Sequence, residues 1–139
     1  MMSWDAYIDN LIAQSKDASG TAHCDQACII GLDGSPWTTD NPAGALKLSP
    51  DERSTLAHGM KTADFSLFQS AGIVAGGVKY QFLRAQDKMA LGKKKGHGAI
   101  TVQASRTAVV IGHTKEGGQQ GNTNKAVSVI ADYLESLGM

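Results

Sequence analysis

Four residues of this chain join a flat apolar face to a polar tip: Trp4, Tyr7, Trp37 and Tyr133. Such side chains do no covalent chemistry. Their rings stack on flat partners, and their N–H and O–H groups donate to carbonyls that a partner leaves bare. A polyproline II helix offers both features, because its rings stack and its carbonyls have no internal donors. The competing expectation is that these rings are core. Leu, Ile and Val are plentiful enough to build a core without them, and the residue types leave the two readings balanced.

Other reactive residue types assemble less. His23, Cys24 and Cys28 lie in one short stretch, but two sulfurs and one imidazole lack the second ligand pair of a zinc site. Two cysteines make no disulfide framework. They are expected to be strand-edge thiols beside a surface histidine, with no metal. The segment "GGQQGN" before a helix resembles a phosphate-cradling loop, since free N–H groups and the dipole favour anions there. It lacks the GK[ST] ending, and a flexible turn whose glycines admit a partner to the backbone is preferred. His23, His58, His97 and His113 are scattered and no nucleophile elbow accompanies them, so no triad can be built. The chain is expected not to be an enzyme and to need no cofactor.

The net charge is zero over 139 residues, yet it is unevenly placed. Residues 1–64 hold nine acids against four bases, whereas residues 79–106 hold Lys79, Arg84, Lys88, Lys93, Lys94, Lys95 and Arg106 against Asp87 alone. A basic patch of this kind suits an acidic protein or an anionic lipid. A pI near 6.9 is too low to argue for nucleic acid. No apolar run approaches the roughly 18 residues of a membrane span and no leader is recognisable, so the cytosol is expected.

The elements that must place these residues follow from periodicity. Trp4, Tyr7, Ile8, Leu11 and Ile12 recur at helical spacing after Ser3, a good N-cap, with Asp5 in the first turn. "ACIIGLDG" reads as a buried strand ending in an Asp33-Gly34 turn, with Trp37 on the returning strand. "SPDE" announces a helix with Ser49 as cap, Pro50 at its first position and Glu52 completing a capping box, ending near Gly59. From residue 72 the period is two: "GVKYQFLRA", "KMALGKKKG", "GAITVQAS" and "TAVVIGHT" form an antiparallel meander, with Lys93, Lys94 and Lys95 in a turn. Val127, Ile130, Tyr133, Leu134 and Leu137 return to helical spacing before Gly138. Helices flanking one antiparallel sheet give an α+β domain spanning 1–139.

The stretches "MSWDAYIDNLI", "ACIIGLDGSPW", "GVKYQFLRA", "GKKKGHGAITV" and "GNTNKAVSVIADYLESLGM", in this order and spacing, resemble the profilin family over nearly the whole chain. They are closer to its invertebrate, plant and protist members than to the vertebrate type. The family pattern begins at Met2-Ser3, so Met1 is expected to be an extra residue. The resemblance implies a central antiparallel sheet with the terminal helices on one face and short helices on the other. It implies a monomeric, cytoplasmic, cytoskeleton-associated adaptor that binds monomeric actin, promotes its nucleotide exchange and regulates its polymerisation. It also implies binding of proline-rich proteins such as formins and of anionic phosphoinositide head groups. A polyproline-binding module without actin affinity is the alternative.

Carried over by position, the resemblance assigns the proline groove to Trp4, Tyr7, Trp37, Tyr133, Leu137 and Met139. Many profilins end in an aromatic residue where this chain has Met139, a thioether that still packs on a proline ring. Actin binding is assigned to Lys79, Phe82, Arg84, Lys94, Gln119, Gly121, Asn124, Lys125 and Ser128, with Gln119 where vertebrate forms carry histidine. Lys125 is expected in the first turn of the last helix, where a cation opposes the macrodipole; Asp132 and Glu135 toward the other end have the wrong sign too. A placement that costs local stability suggests a use. Phosphoinositide head groups are assigned to Lys88, Lys93, Lys94 and Lys95, each basic residue contributing about 1 kcal/mol near an anionic surface.

Overall fold

The computed structural model describes residues 4–139; the Ser3 cap and the status of Met1 lie outside them. Helix α1 (Ala6–Gln14) is followed by strand β1 (Cys24–Gly31), helices α2 (Pro50–Thr62) and α3 (Ser66–Ala71), and strands β2 (Ile73–Ala75), β3 (Val78–Gln86), β4 (Met89–Lys94), β5 (Gly98–Ala104) and β6 (Ala108–Thr114). Helix α4 (Gln120–Ser136) closes the chain. The strands form one antiparallel sheet in the order β1-β6-β5-β4-β3-β2. Strands β3 to β6 are the expected meander, and β1 joins its far side.

Each face of the sheet buries its own apolar cluster. On one face Ile30, Val102, Val109 and Ile111 pack with Leu56, Met60 and Phe68 of α2 and α3. On the other, Ile29 and Val110 pack with Ile8 and Leu11 of α1 and with Val127, Ile130 and Leu134 of α4. Period-two alternation in the strands meets period-3.6 stripes in the helices, each large aliphatic side chain contributing about 1.5–3 kcal/mol on burial. Gly112 lets α4 approach β6: a Cβ there would lie 2.9 Å from both Thr123 Cγ2 and Val127 Cγ2.

The capping box forms as expected, with Ser49 Oγ accepting from Glu52 N–H at 3.1 Å and Glu52 Oε1 accepting from Ser49 N–H at 2.8 Å. The same carboxylate accepts from the N–H groups of Gly76 and Gly77, tying α2 to the β2–β3 turn. Helix α2 does not stop at Gly59 but runs to Thr62, where Ala63 turns left-handed at φ 54°. Gly59 serves packing instead, since a Cβ there would lie 2.6 Å from the Phe68 ring. Helix α3 and strand β2, of six and three residues, are too short to show a period.

Three further expectations are corrected. Trp37 lies on no strand: the chain returns through a single bridge, Ile30 to Pro36, while Trp37 N–H donates to Ile29 O. Lys93 and Lys94 are the last residues of β4 and only Lys95 enters the turn, so alternation sends the first two to opposite faces. Lys125 is the sixth residue of α4 rather than part of its first turn, beyond the reach of the terminal partial charge. Glu135 is near the unfavourable end as expected, but Lys88 Nζ neutralises it at 2.6 Å.

Candidate functional site

The two terminal helices bring the aromatic residues together. Trp4 and Trp37 have ring centroids 4.8 Å apart, Trp4 and Tyr7 5.4 Å, and Tyr7 and Tyr133 6.4 Å, with planes 30–38° apart throughout. The result is one continuous row, Trp37–Trp4–Tyr7–Tyr133. It is neither core nor free surface. Trp4, Tyr7, Trp37 and Met139 rest one side on the α1/α4 cluster, while Tyr133 and Leu137 are about half exposed at 50% and 53%. Among the described residues no acceptor is placed on either indole N–H. Burial, then the neighbouring Tyr133, pushes the Tyr7 hydroxyl above its ordinary pKa, so it stays a neutral donor at physiological pH.

Three local features hold the row. Asp5 ties its helix to the loop after Trp37, accepting from the N–H and hydroxyl of Thr39, each at 2.6 Å. Gly31 leaves room for the Trp37 indole, because a Cβ would lie 2.9 Å from its Nε1. Met139 is latched to the β5–β6 turn: its backbone oxygen accepts from Thr107 N–H, from Thr107 Oγ1 at 2.8 Å and from Ser105 Oγ at 2.9 Å. Ser105 and Thr107 carry no signal in the sequence, because only the fold brings positions 105 and 139 together. Beyond Tyr7 and Tyr133 the row opens into a groove of ≈ 520 Å³ lined by Ala6, Asn10, Gln14, Val129 and Ile130. The hydrogen bond from Asn122 Nδ2 to Ser15 O joins the two helices beyond its far end.

A second, polar face lies beside α4, which packs chiefly on β5 and β6 and touches β4 at its start, where Gln120 Nε2 donates to Gly92 O at 3.3 Å. Arg84 pairs with Leu91, and Lys93 with Gln81 and Ala99, placing Arg84, Lys93 and, by alternation, Lys79 on the α4 side. Phe82 is not among them, being partly buried against the α2/α3 cluster. Lys94 points to the opposite face from Lys93. Leu83, which the sequence reading passed over, is 48% exposed as the extra residue of a bulge between Phe82 and Arg84. On α4, Asn124 and Ser128 are spent internally: Asn124 Oδ1 accepts from Thr101 Oγ1 at 2.5 Å and Ser128 Oγ donates to Gln103 Oε1 at 2.7 Å. Gln119, Gly121 and Lys125 are exposed.

The four lysines assigned to phosphoinositides do not form one cluster. Lys88 sits in the β3–β4 turn, paired with Glu135, at the opposite end of β4 from Lys94 and roughly 20 Å away along the strand. His23 is not on the surface but 9% exposed, bonded to Asp17 and to Gln119 N–H. Cys24 and Cys28 lie on an edge strand as expected, but both are buried. Burial pushes the Cys24 thiol up to about 12, far from a reactive thiolate. Among the described residues no group of three or more His, Cys, Asp and Glu is placed to hold a metal, and no helix is long and apolar enough to cross a membrane.

Comparison with known proteins agrees with this architecture. The family model described as profilin matches residues 2–139. Profilin of Heliocidaris crassispina is 66% identical over 99% of this chain and 100% of its own length. The crystal structure of Acanthamoeba castellanii profilin II superposes with a TM-score of 0.81 at 34% identity, covering 99% of this chain and 100% of that one. Mouse profilin IIa shares the fold with a TM-score of 0.74 at 23% identity, over 99% and 100% of the two chains. With a matched family model over almost its whole length and an invertebrate relative at two-thirds identity, the chain belongs to the profilin family.

Proposed function

We propose that this protein is an adaptor that carries monomeric actin on the polar face of β3, β4 and α4 and a proline-rich segment on the aromatic row. Profilins are actin-binding regulators of the cytoskeleton. Mouse profilin IIa was solved in complex with a double repeat from the FH1 domain of mDia1; at its distance from this chain that likeness speaks to the fold. The observation that carries the reading is the row itself: four rings, each beside the next with centroids 4.8–6.4 Å apart, packed from below and bearing indole and phenol donors. Actin bound through Arg84, Lys93 and Lys125 would have its nucleotide exchange promoted and its polymerisation regulated, as the family membership leads one to expect. Formin-type proteins with proline tracts would then concentrate loaded monomers. The protein would act in the cytoplasm, as a monomer and without catalysis. Lys93, Lys94 and Lys95 would attract anionic phosphoinositide head groups weakly and reversibly.

The deciding experiment titrates a proline decamer against intrinsic tryptophan emission and, separately, measures actin-monomer affinity. A saturable emission change that Trp4→Ala or Tyr133→Ala abolishes supports the groove; no response at millimolar peptide refutes it. Proline binding without actin binding would select the alternative, a polyproline module.

A further inference from the structure

Two buried histidines anchor segments at the edge of the polar face, and their neighbours demand opposite charge states. His113 on β6 has Nδ1 2.5 Å from Asp25 Oδ1 and Nε2 2.6 Å from the His97 backbone oxygen. Both partners are acceptors, and only the imidazolium carries N–H at both nitrogens. Asp25 reaches the ring because it is the extra residue of a bulge in β1, between Cys24 opposite Thr114 and Gln26 opposite His113. His23 is the converse. Its Nδ1 accepts from Gln119 N–H at 3.0 Å while Nε2 faces Asp17 Oδ2 at 2.8 Å. That arrangement requires the neutral ring protonated at Nε2.

Each histidine anchors one segment. His113 holds the β4–β5 turn through His97 O, and the turn closes on itself by His97 N–H to Lys94 O at 3.0 Å. His23 holds residues 115–119 at both ends, through its carbonyl to Lys115 N–H and its ring to Gln119 N–H, each at 3.0 Å. Glu116 Oε2 joins the segments by accepting from Gly98 N–H at 2.8 Å. Lys94, Lys95, Lys115 and Gln119 all ride on them.

We propose that His113 and His23 are positioning residues that order this edge of the polar face, His23 as the acceptor for Gln119 N–H and His113 as a double donor whose clamp opens when it loses its proton. Without the His23 Nδ1 acceptor, Gln119 N–H would be unpaired and the start of α4 freed. Loss of the His113 proton leaves Asp25 or His97 O without a donor and frees the turn. The groups facing the His113 ring are Asp25 from β1, Tyr80 from β3 with ring centroids 6.0 Å away, and His97 from the turn; Cys24 lies on the other face, with the α1/α4 cluster. Burial pushes Tyr80 up to about 12, so it stays neutral and Asp25 supplies the charge. Burial alone would lower the His113 pKa, but the Asp25 hydrogen bond, the His97 carbonyl and the Asp25 charge raise it above its ordinary 6.5. The clamp is therefore complete below that value and lost as pH rises through the raised one. Facing His23 are Asp17, Gln119 and, through its backbone, Lys115.

On the function proposed above, actin affinity should weaken where this edge loosens; the ordering itself does not rest on that reading. The test records ring ¹⁵N shifts of both histidines and hydrogen-exchange protection of the Gly98 and Gln119 amides from pH 5.5 to 9, corrected for intrinsic exchange. Expected are a doubly protonated His113 and an Nε2-protonated His23 at pH 7. Gly98 protection should fall about tenfold on the alkaline side, the scale of one lost charge-assisted hydrogen bond. Asp25→Asn keeps an acceptor but removes the charge, and should move the alkaline loss to lower pH. His23→Asn keeps an acceptor for Gln119 N–H and should keep its protection, whereas His23→Leu should lose it. Neutral His113 at pH 7, or Gly98 protection that ignores pH in the wild type, overturns the proposal. Actin affinity is read in parallel, and its absence at every pH would overturn the proposed function while the ordering stands on the other readouts.

Discussion

Gly31→Ala tests whether the aromatic row is a built site. Gly31 has no left-handed backbone, so the substitution acts by contact alone: its Cβ would lie 2.4 Å from Asp33 Oδ1, 2.8 Å from Ser35 Oγ and 2.9 Å from Trp37 Nε1. Asp33 and Ser35 are side-chain ends that can swing away, at the expense of the 3.0 and 2.6 Å bonds from Ser35 N–H and Oγ to Asp33. The indole is rigid and must retreat by about half an ångström to regain ordinary contact. Overpacking of this kind costs about 1–3 kcal/mol, or about 4 °C in Tm for each kcal/mol in a domain of this size. The ring leaves the line of its neighbours, and the stacking lost, about 0.5–1.5 kcal/mol, corresponds to about 2–10-fold in proline-decamer affinity. Trp37→Ala should lose at least as much, and adding Gly31→Ala to it should cost no further affinity, because the ring it displaces is already gone. Wild-type affinity in Gly31→Ala, or affinity losses that add in the double variant, would refute the placement of Trp37 in the site.

Reversing Arg84 and Lys93 together to Glu should weaken actin binding by more than about 1 kcal/mol with proline binding intact; loss of both activities would indicate unfolding, and retention of actin binding would show that this face is not the one used. Thr107→Val removes one hydroxyl donor from the Met139 latch and should lower decamer affinity a few-fold, with Thr107→Ser restoring it; equal affinities in the three proteins would remove Met139 from the groove. Hydrogen bonds from Ser19, His23 and Thr21 hold the Asp17 carboxyl well below its ordinary 3.8, so its stabilisation is full above that value and lost as pH falls through the lowered one. Asp17→Asn should accordingly lower the urea midpoint at pH 7 and flatten its decline below about pH 4, and a variant curve parallel to the wild type would contradict this.

The parts of the molecule that were legible are those in which one local pattern decides the outcome. The capping box needs only Ser49, Pro50 and Glu52, and the meander needs only alternation between turn residues. Gly59 misled because a glycine in a helical run is both a stop signal and a seat for a neighbouring ring, and Phe68 is nine residues away. Phe82 and Lys94 misled because a bulge at Leu83 and the true end of β4 set which face each residue takes, and neither is visible in the alternation itself. The aromatic row was legible as residue types but not as geometry. Core and groove are the same residues seen from two sides, and only the packing of α1 beside α4 separates them. The Met139 latch, the Asp25 bulge and the histidine pair join positions 32 to 96 residues apart, and no local pattern announces such contacts.

Helix α4 explains how two ligands can be held at once. At 100° per residue, Val129 and Tyr133 lie on the flank that meets α1, while Asn124 and Ser128 lie about 100–180° around the helix on the flank that meets β5; their hydrogen bonds to Thr101 and Gln103 agree. Lys125 stands on the crown between them, about 40° from Val129. A helix with its side chains is about 10 Å across, so ligands on the two flanks are kept apart by α4 itself. Communication between them would require α4 to shift on the sheet, and Gly112 opposes that. Thr123 and Val127 close around it so tightly that a single Cβ would lie 2.9 Å from each, and a packed seat of this kind yields in discrete jumps rather than by sliding. For the function proposed above, the structure therefore favours independent binding, in which a proline-rich partner would change where a loaded actin monomer is delivered without changing how tightly it is held.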